Sequence, residues 1–304
     1  MKFINRNGLS LRFTDEFKRR LFRYARTYEI YGSLNRNWNL VYLKKTNYPN
    51  FQAELDIFKE NLIDQVKSKK GVGYLKFGDG DYYFLKGLPV GSASPGKRAL
   101  SHELTPDELF RFQKNALEVD HYLCEIDSEN RKLFREIFKA KDPIPAEFVY
   151  GLTANHWLTQ LPYKIGIIGA DKKVNVIKQL MQFAEYQDYL GLREFSDYIE
   201  VPQKFACDDL SARIIELQKQ IQKSQADLFL VGVGHLKSGI MSELTKMRNV
   251  VFLDIGSGID ALAGLIDSQR PYFGSWLNYR IRDESIYSEI DLLQYKNGTT
   301  KFLD

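Results

Sequence analysis

Residues 227–239 read Asp-Leu-Phe-Leu-Val-Gly-Val-Gly-His-Leu-Lys-Ser-Gly, which predicts a buried strand, a glycine turn and a helix start. A short apolar run that ends at glycine is typical of a strand inside a sheet. At a helix N-terminus, small residues leave backbone N–H groups open to phosphate, and the helix dipole favours an anion. The stretch therefore predicts a phosphate or sugar-nucleotide site, formed by Gly232, Gly234, His235, Lys237 and Ser238. For His235, a structural hydrogen-bonding role is the open alternative.

Predicted strands and helices alternate through the second half of the chain. Short β-prone runs occupy 147–150, 164–168, 198–201, 228–233 and 250–255. Helical patterns lie near 152–160, 172–189, 208–223 and 236–247. This alternation predicts an α/β fold, a mostly parallel sheet with helices on both faces, in which ligands bind beyond the carboxyl ends of the strands.

The first half adds further elements and sets the predicted domain limits. Apolar residues at helical spacing from Leu55 predict a helix that Lys69-Lys70-Gly71 ends, and a strand follows at 72–77. Thr105-Pro106-Asp107-Glu108 predicts a helix start, and that helix is expected to run to Leu123. We expect an α-helical N-terminal extension over 1–50 with a helix at 14–29, one domain over 51–285 and a C-terminal tail over 286–304.

Two carboxylates follow the strand at 72–77, in the sequence Gly78-Asp79-Gly80-Asp81. If the chain is still extended there, side chains at i and i+2 point the same way, and carboxylate oxygens are the ligands that Mg²⁺ and Mn²⁺ prefer. Gly78 and Gly80 lack a Cβ, so a phosphate could approach the backbone closely. Asp79 and Asp81 are therefore the candidate metal ligands, and an ordinary polar turn is the alternative.

A third glycine turn follows the run at 250–255, in the sequence Asp254-Ile-Gly256-Ser-Gly258-Ile-Asp260. It is similar to the acidic glycine turn of methyltransferases that bind S-adenosylmethionine, but too few residues follow it to complete the sheet of such a domain. We interpret Asp254 and Asp260 as carboxylates at a strand end, where either could be a general base for a sugar hydroxyl. Helix capping by Asp260 is the alternative. A nicotinamide site is disfavoured, because the glycines at 232, 234 and 239 miss the GxGxxG spacing.

Composition narrows the class of protein. The chain has 304 residues, a net charge of +4 and two cysteines, Cys124 and Cys207, without metal-ligand spacing. We expect a reduced, cytoplasmic protein that does not bind nucleic acid. A basic amphipathic helix around Lys18–Arg26 would allow peripheral membrane contact, although a solvated helix face gives the same pattern. The loop before Thr105 carries Lys97 and Arg98, which could face phosphate.

Three segments in this order resemble the GT-D-type glycosyltransferases over roughly residues 55–280. They are Lys76-Phe77-Gly78-Asp79-Gly80-Asp81, a glycine turn after a strand at 228–234, and Phe252-Leu253-Asp254-Ile255-Gly256. In that family an Arg-Phe-Gly-Asp-Gly-Glu-like segment supplies an Asp-x-Glu motif on a Rossmann-like fold. Asp79 matches the family Asp, and Asp81 stands where the family has Glu. Ser257 stands where the family often has His.

The resemblance implies a metal-dependent hexosyltransferase-like enzyme. It would move a sugar from a nucleotide-diphosphate donor, a UDP-sugar being favoured, to a hydroxyl of a glycan or glycoprotein. Mn²⁺ or Mg²⁺ would be held by Asp79 and Asp81, and Phe77, Gly78 and Gly80 would lie at the donor. Asp254 would be the first candidate for the catalytic base. The methyltransferase and a non-catalytic nucleotide-sugar-binding module remain as alternatives.

Overall fold

The computed structural model describes residues 3–4, 10–11, 50–88, 99–126, 128–266, 276–295 and 300–304. The predicted helix at 14–29, its basic cluster, and Lys97 and Arg98 lie outside the described residues.

One seven-stranded sheet forms the centre of the molecule, and all its neighbouring strands are parallel. Its strands are β3 (Val72–Phe77), β4 (His121–Cys124), β5 (Ile144–Pro145), β6 (Ile165–Ala170), β7 (Asp197–Val201), β8 (Leu228–Gly232) and β9 (Val251–Asp254). They are arranged in the order β5-β4-β3-β9-β8-β6-β7. This confirms the predicted α/β, Rossmann-like class.

Two short pairs lie outside this sheet. Strands β1 (Phe3–Ile4) and β2 (Ser10–Leu11) are antiparallel, and β10 (Asn278–Ile281) pairs in parallel with β11 (Thr300–Leu303). Short 3₁₀ helices cover Gly234–Leu236, Glu284–Tyr287 and Leu292–Tyr295.

Helices cover both faces of the sheet because each buried strand presents apolar side chains to both sides. On β8, Leu228 and Leu230 join one hydrophobic core, whereas Phe229 and Val231 join the other. The first core lies under α1 (Phe51–Ser68), α5 (Ala146–Ala154), α6 (Asp171–Leu180), α7 (Ala184–Leu190) and α10 (Gly258–Leu262). The second lies under α2 (Asp79–Leu85), α3 (Pro106–Leu117), α4 (Ser128–Phe138), α8 (Leu210–Ile221) and α9 (Lys237–Met247).

Most of the predicted elements are present, but four predictions were wrong. The helix predicted near 152–160 is helical only to Ala154. Residues 147–150 belong to helix α5, whose nine residues are all buried and therefore show no polar face. The helix from Thr105 ends at Leu117, and β4 follows after three residues. The single helix predicted over 172–189 is two helices, α6 and α7.

The predicted cap of α3 is present in full. The Thr105 hydroxyl accepts from the Glu108 backbone N–H, and the Glu108 carboxylate accepts from the Thr105 N–H at 2.9 Å, with Pro106 at the first position. Among the described residues, every helix is either too short or too polar to cross a bilayer.

Candidate functional site

A crevice of about 660 Å³ opens at the carboxyl ends of the central strands. Helix α6, which follows β6, packs in the first core, and α9, which follows β8, packs in the second. Neighbouring strands whose chains leave to opposite faces create the gap in which α/β proteins bind ligands. Loops after β3, β6, β7, β8 and β9 line this gap. Four of these loops, after β3, β6, β8 and β9, follow strands that the sequence predicts at 72–77, 164–168, 228–233 and 250–255, and ligands are expected beyond the carboxyl ends of those strands.

The ammonium of Lys237 lies between two buried carboxylates at the floor of the crevice. Its Nζ is 3.0 Å from Asp81 Oδ2 and 3.2 Å from Asp254 Oδ2. We call these three residues the lysine triad. They come from α9, α2 and β9, so only the tertiary fold brings them together.

Burial and charge oppose each other in the triad. Burial alone would raise the pKa of Asp81, but the Lys237 ammonium and the neighbouring His235 hold this pKa below its usual range. Burial alone would lower the pKa of Lys237, whereas Asp254 and Asp81 raise it. The lysine and Asp81 are therefore both charged at neutral pH.

The local conformation of the acidic motif differs from the expected extended one. Helix α2 begins at Asp79, so Asp79 and Asp81 are helical and do not share a face. Asp81 points inward, and its Oδ2 accepts from the Gly78 backbone N–H at 2.9 Å. Asp79 is exposed at the mouth of the crevice, and its Oδ1 accepts from the Gly80 N–H at 2.7 Å. The helix forms because Gly78 is extended and a carboxylate three residues later caps its N–H.

Both carboxylate oxygens of Asp254 accept hydrogen bonds from described residues. Its Oδ2 accepts from the Lys76 backbone N–H at 2.9 Å, and its Oδ1 accepts from the Gly256 N–H at 2.9 Å. With the Lys237 contact, both oxygens are engaged and the residue is 1% exposed. Asp254 therefore fixes the ends of β3 and β9 relative to Lys237.

His235 lies over the triad on the wall formed by the glycine turn. Its ring stacks on Phe84 at a centroid distance of 4.9 Å, and its Nδ1 is 3.4 Å from Asp81 Oδ1. Gly234 before it has φ +59°, and an added Cβ would meet no atom within 4 Å. The turn therefore leaves open space in front of Gly234, as a close approach by a ligand requires.

The opposite wall contains polar groups that sequence reasoning missed. The Ser257 hydroxyl, in a residue 9% exposed, has no hydrogen-bond partner among the described residues, and neither does Gln203 Oε1. Both residues line the crevice, as do Lys173 and Asp260, which form an ion pair. Ser257 was visible in the sequence only as a departure from the family pattern. Lys173 and Gln203 gave no local signal.

Ten of the predicted site residues line this one crevice: Gly78, Asp79, Gly80, Asp81, Gly232, Gly234, His235, Lys237, Asp254 and Asp260. Phe77 and Ser238 are not in the lining. Phe77 packs on Phe134 and Phe138 at 5.5 Å in the second core, and Ser238 is buried in the first turn of α9. The ten lining residues lie close together because each is at or just after the carboxyl end of a strand, and these strands are parallel neighbours in one sheet.

The side chains around the acidic motif do not fit a metal held by Asp81. A cation already lies between Asp81 and Asp254, namely the Lys237 ammonium. Across the described ranges, no three His, Cys, Asp or Glu side chains converge as a cation site. Asp79 alone is an exposed carboxylate of the motif, and a single carboxylate completes a Mg²⁺ or Mn²⁺ shell only with water or substrate oxygens.

Comparison with known proteins adds no assignment, since no family model, no curated protein and no solved structure matches this chain.

Proposed function

We propose that this protein is a glycosyltransferase that moves a sugar from a nucleotide-diphosphate donor to a hydroxyl of a glycan or glycoprotein. A UDP-sugar is the favoured donor. The observation that carries the proposal is the crevice itself. One wall has an open glycine turn, and the other has polar atoms without a hydrogen-bond partner in the described part of the chain. A ligand that combines phosphates with hydroxyl groups matches both walls.

The glycine-turn wall suits the phosphates. A Cβ at Gly234 would meet no atom within 4 Å, and the 11-residue helix α9 starts at Lys237, after the 3₁₀ turn Gly234–Leu236. Helix N-termini favour anions, and the Lys237 ammonium has a third N–H beyond the two that point to Asp81 and Asp254. His235 is placed to donate to a diphosphate oxygen when protonated.

The opposite wall suits the sugar. The Ser257 hydroxyl and Gln203 Oε1 are buried and have no hydrogen-bond partner within the described ranges. Such atoms are unfavourable in the free protein, and ligand hydroxyls would satisfy both. Lys173 and Asp260, which pair beside them, offer further donors and acceptors. The volume of about 660 Å³ falls within the range of roughly 300–1,000 Å³ that is usual for small-molecule sites.

The described lining of the crevice has more carboxylates than lysines, which is unfavourable for a diphosphate. Its described lining contains four lysines, six carboxylates and His235, so a diphosphate needs further positive charge. Lys97 and Arg98, which lie outside the described residues, remain the predicted source of that charge. The divalent ion also stays a prediction, with Asp79 as its remaining candidate ligand in the motif.

Asp254 and Asp260 remain the proposed catalytic carboxylates, and the geometry favours Asp260 as the base. Both oxygens of Asp254 accept hydrogen bonds at the crevice floor, so proton transfer to it would break an existing contact. Asp260 lies nearer the surface beside Ser257, and one lysine is its only ionic partner in the described part of the chain. It would take the proton of the acceptor hydroxyl if the reaction inverts configuration.

The methyltransferase alternative is weaker in this geometry. That interpretation makes the Asp254 turn the S-adenosylmethionine site, but the Asp254 carboxylate is 1% exposed and already accepts from Lys76, Gly256 and Lys237. A non-catalytic nucleotide-sugar-binding module would use the same crevice, and only turnover separates it from the enzyme.

A thermal-shift screen tests the proposal directly. UDP, GDP and their common sugar conjugates would each be added with and without Mn²⁺, alongside S-adenosylmethionine, because a ligand that binds only the native state raises the melting temperature. We expect stabilisation by a nucleotide sugar that exceeds stabilisation by its nucleotide. Sugar transfer from that donor to a glycan acceptor would then separate enzyme from binding module. Stabilisation by S-adenosylmethionine alone would contradict the proposal.

A further inference from the structure

The Lys237 ammonium contacts one of the two carboxylates, Asp79 and Asp81, that the sequence predicts as metal ligands. It contacts the second carboxylate of the acidic motif, Asp81, and the carboxylate at the end of β9, Asp254, at 3.0 and 3.2 Å. We infer that Lys237 is the permanent counter-ion of these two carboxylates. In the native protein, Asp81 and Asp254 therefore bind no divalent cation.

The charge balance of the lysine triad supports this inference. All three side chains are at least nine-tenths shielded from solvent, with exposed fractions of 7%, 10% and 1% for Lys237, Asp81 and Asp254. Two buried carboxylates without a cation, or a buried ammonium without an anion, would be strongly unfavourable. A divalent ion added between them would set three positive charges against two negative ones. It could bind there only after the ammonium had left.

The backbone prevents the carboxylates from turning away to a second cation. Asp81 Oδ2 accepts from the Gly78 N–H, and Asp254 accepts from the Lys76 and Gly256 N–H groups. These bonds fix the carboxylates on the side of the lysine. Together with the ion pairs to Lys237, these hydrogen bonds connect the ends of β3 and β9 to the start of α9. These three segments form the crevice floor.

The inference does not rest on the proposed function, because it concerns a resident charge and not a substrate. It also refines that function: any divalent ion that accompanies a nucleotide donor would reach it through Asp79 and the phosphates. Asp81 would act as a positioning residue for Lys237.

The experiment is a Mn²⁺ titration of the nucleotide-free protein, followed by the electron paramagnetic resonance signal of free Mn²⁺. We expect Lys237→Ala to bind one more Mn²⁺ per chain than the native protein, because it exposes two facing carboxylates and leaves room for an ion with its waters. The double variant Lys237→Ala/Asp254→Asn should not gain this site. The matched control is Lys173→Ala, which removes a crevice lysine that pairs with a single carboxylate, Asp260, and should gain no site.

Two results would overturn the inference. One is a Mn²⁺ site in the native protein that Asp81→Asn abolishes, and the other is a folded Lys237→Ala variant that gains no Mn²⁺. If Lys237→Ala does not fold, the comparison of the native protein with Asp81→Asn decides, and equal Mn²⁺ binding by the two supports the inference. Circular dichroism on each sample establishes that it is folded. Because no nucleotide is present, failure of the glycosyltransferase proposal would leave these results unchanged.

Discussion

Ser257 provides the sharpest test of ligand binding at the scale of one residue. Its buried hydroxyl has no partner among the described residues, so Ser257→Ala removes no hydrogen bond that they make. We expect an unchanged or slightly higher melting temperature, since an unsatisfied buried hydroxyl is lost. Affinity for the nucleotide sugar should fall roughly 2- to 10-fold, the equivalent of about 0.5–1.5 kcal/mol for one neutral hydrogen bond. Calorimetric titration measures this, and equal losses for the sugar conjugate and the bare nucleotide would contradict a sugar contact.

His156 provides a pH test of stability away from the crevice. Its ring stacks on Trp276 at 4.6 Å, and burial lowers the pKa of this imidazole from 6.5 to about 4. Below pH 6.5 the unfolded chain binds a proton that the folded chain does not, so stability is lost as pH falls from 6.5 towards 4. The slope is about 1.4 kcal/mol per pH unit.

Urea unfolding at several pH values would measure this slope. The variant His156→Asn should reduce it, because Asn does not titrate and tolerates the φ of +59° at this position. An identical slope in the variant would show that another group is responsible.

At the scale of elements, two glycines of the β8 turn are required for different reasons. A Cβ at Gly232 would lie 2.5 Å from the Ile259 Cβ, whereas a Cβ at Gly234 would meet nothing within 4 Å but would be strained by φ +59°. We expect Gly232→Ala to cost about 1–3 kcal/mol through overpacking and Gly234→Ala about 1–2 kcal/mol through backbone strain.

Asparagine separates the two causes. Because Asn tolerates positive φ, Gly234→Asn should be more stable than Gly234→Ala. Because the space at Gly232 is closed, Gly232→Asn should be less stable than Gly232→Ala. Chemical denaturation of the four variants gives the order, and the same Ala-to-Asn trend at both positions would refute the distinction.

Elements with a local signature could be predicted from the sequence, and those without one could not. The strand at 72–77 has apolar residues bounded by glycines, and α8 has a clear apolar stripe, so both appear as predicted. Helix α5 is buried all round and β4 has four residues, so neither carries a usable period. Strand pairing brings Lys173 and Gln203 to the site, and no local pattern encodes that pairing. The contact of Lys237 with Asp81 and Asp254 could not be predicted for the same reason, because the three residues are far apart in the sequence.

At the scale of the whole molecule, the two ends of the chain should contribute very differently to folding. The buried core residues described run from Leu55 to Leu303. In the segment 286–304, Tyr287, Ile290, Tyr295 and Leu303 are buried in the first core, and β11 pairs with β10. The predicted boundaries at 50 and 285 still need a direct test, and deletion of each end provides one.

We expect a chain that begins at Asn50 to fold and to melt within about 3 °C of the full chain, a difference near 1 kcal/mol. Removal of 286–304 should prevent stable folding. Each of its four buried side chains contributes roughly 1.5–3 kcal/mol, and their sum is comparable with the roughly 5–15 kcal/mol that stabilises a typical domain. Tyr295 also lines the crevice, so a shortened chain that did fold should bind nucleotide more weakly. Scanning calorimetry of both deletions measures this, and an unchanged melting temperature without 286–304 would mean that this segment is a tail, independent of the core.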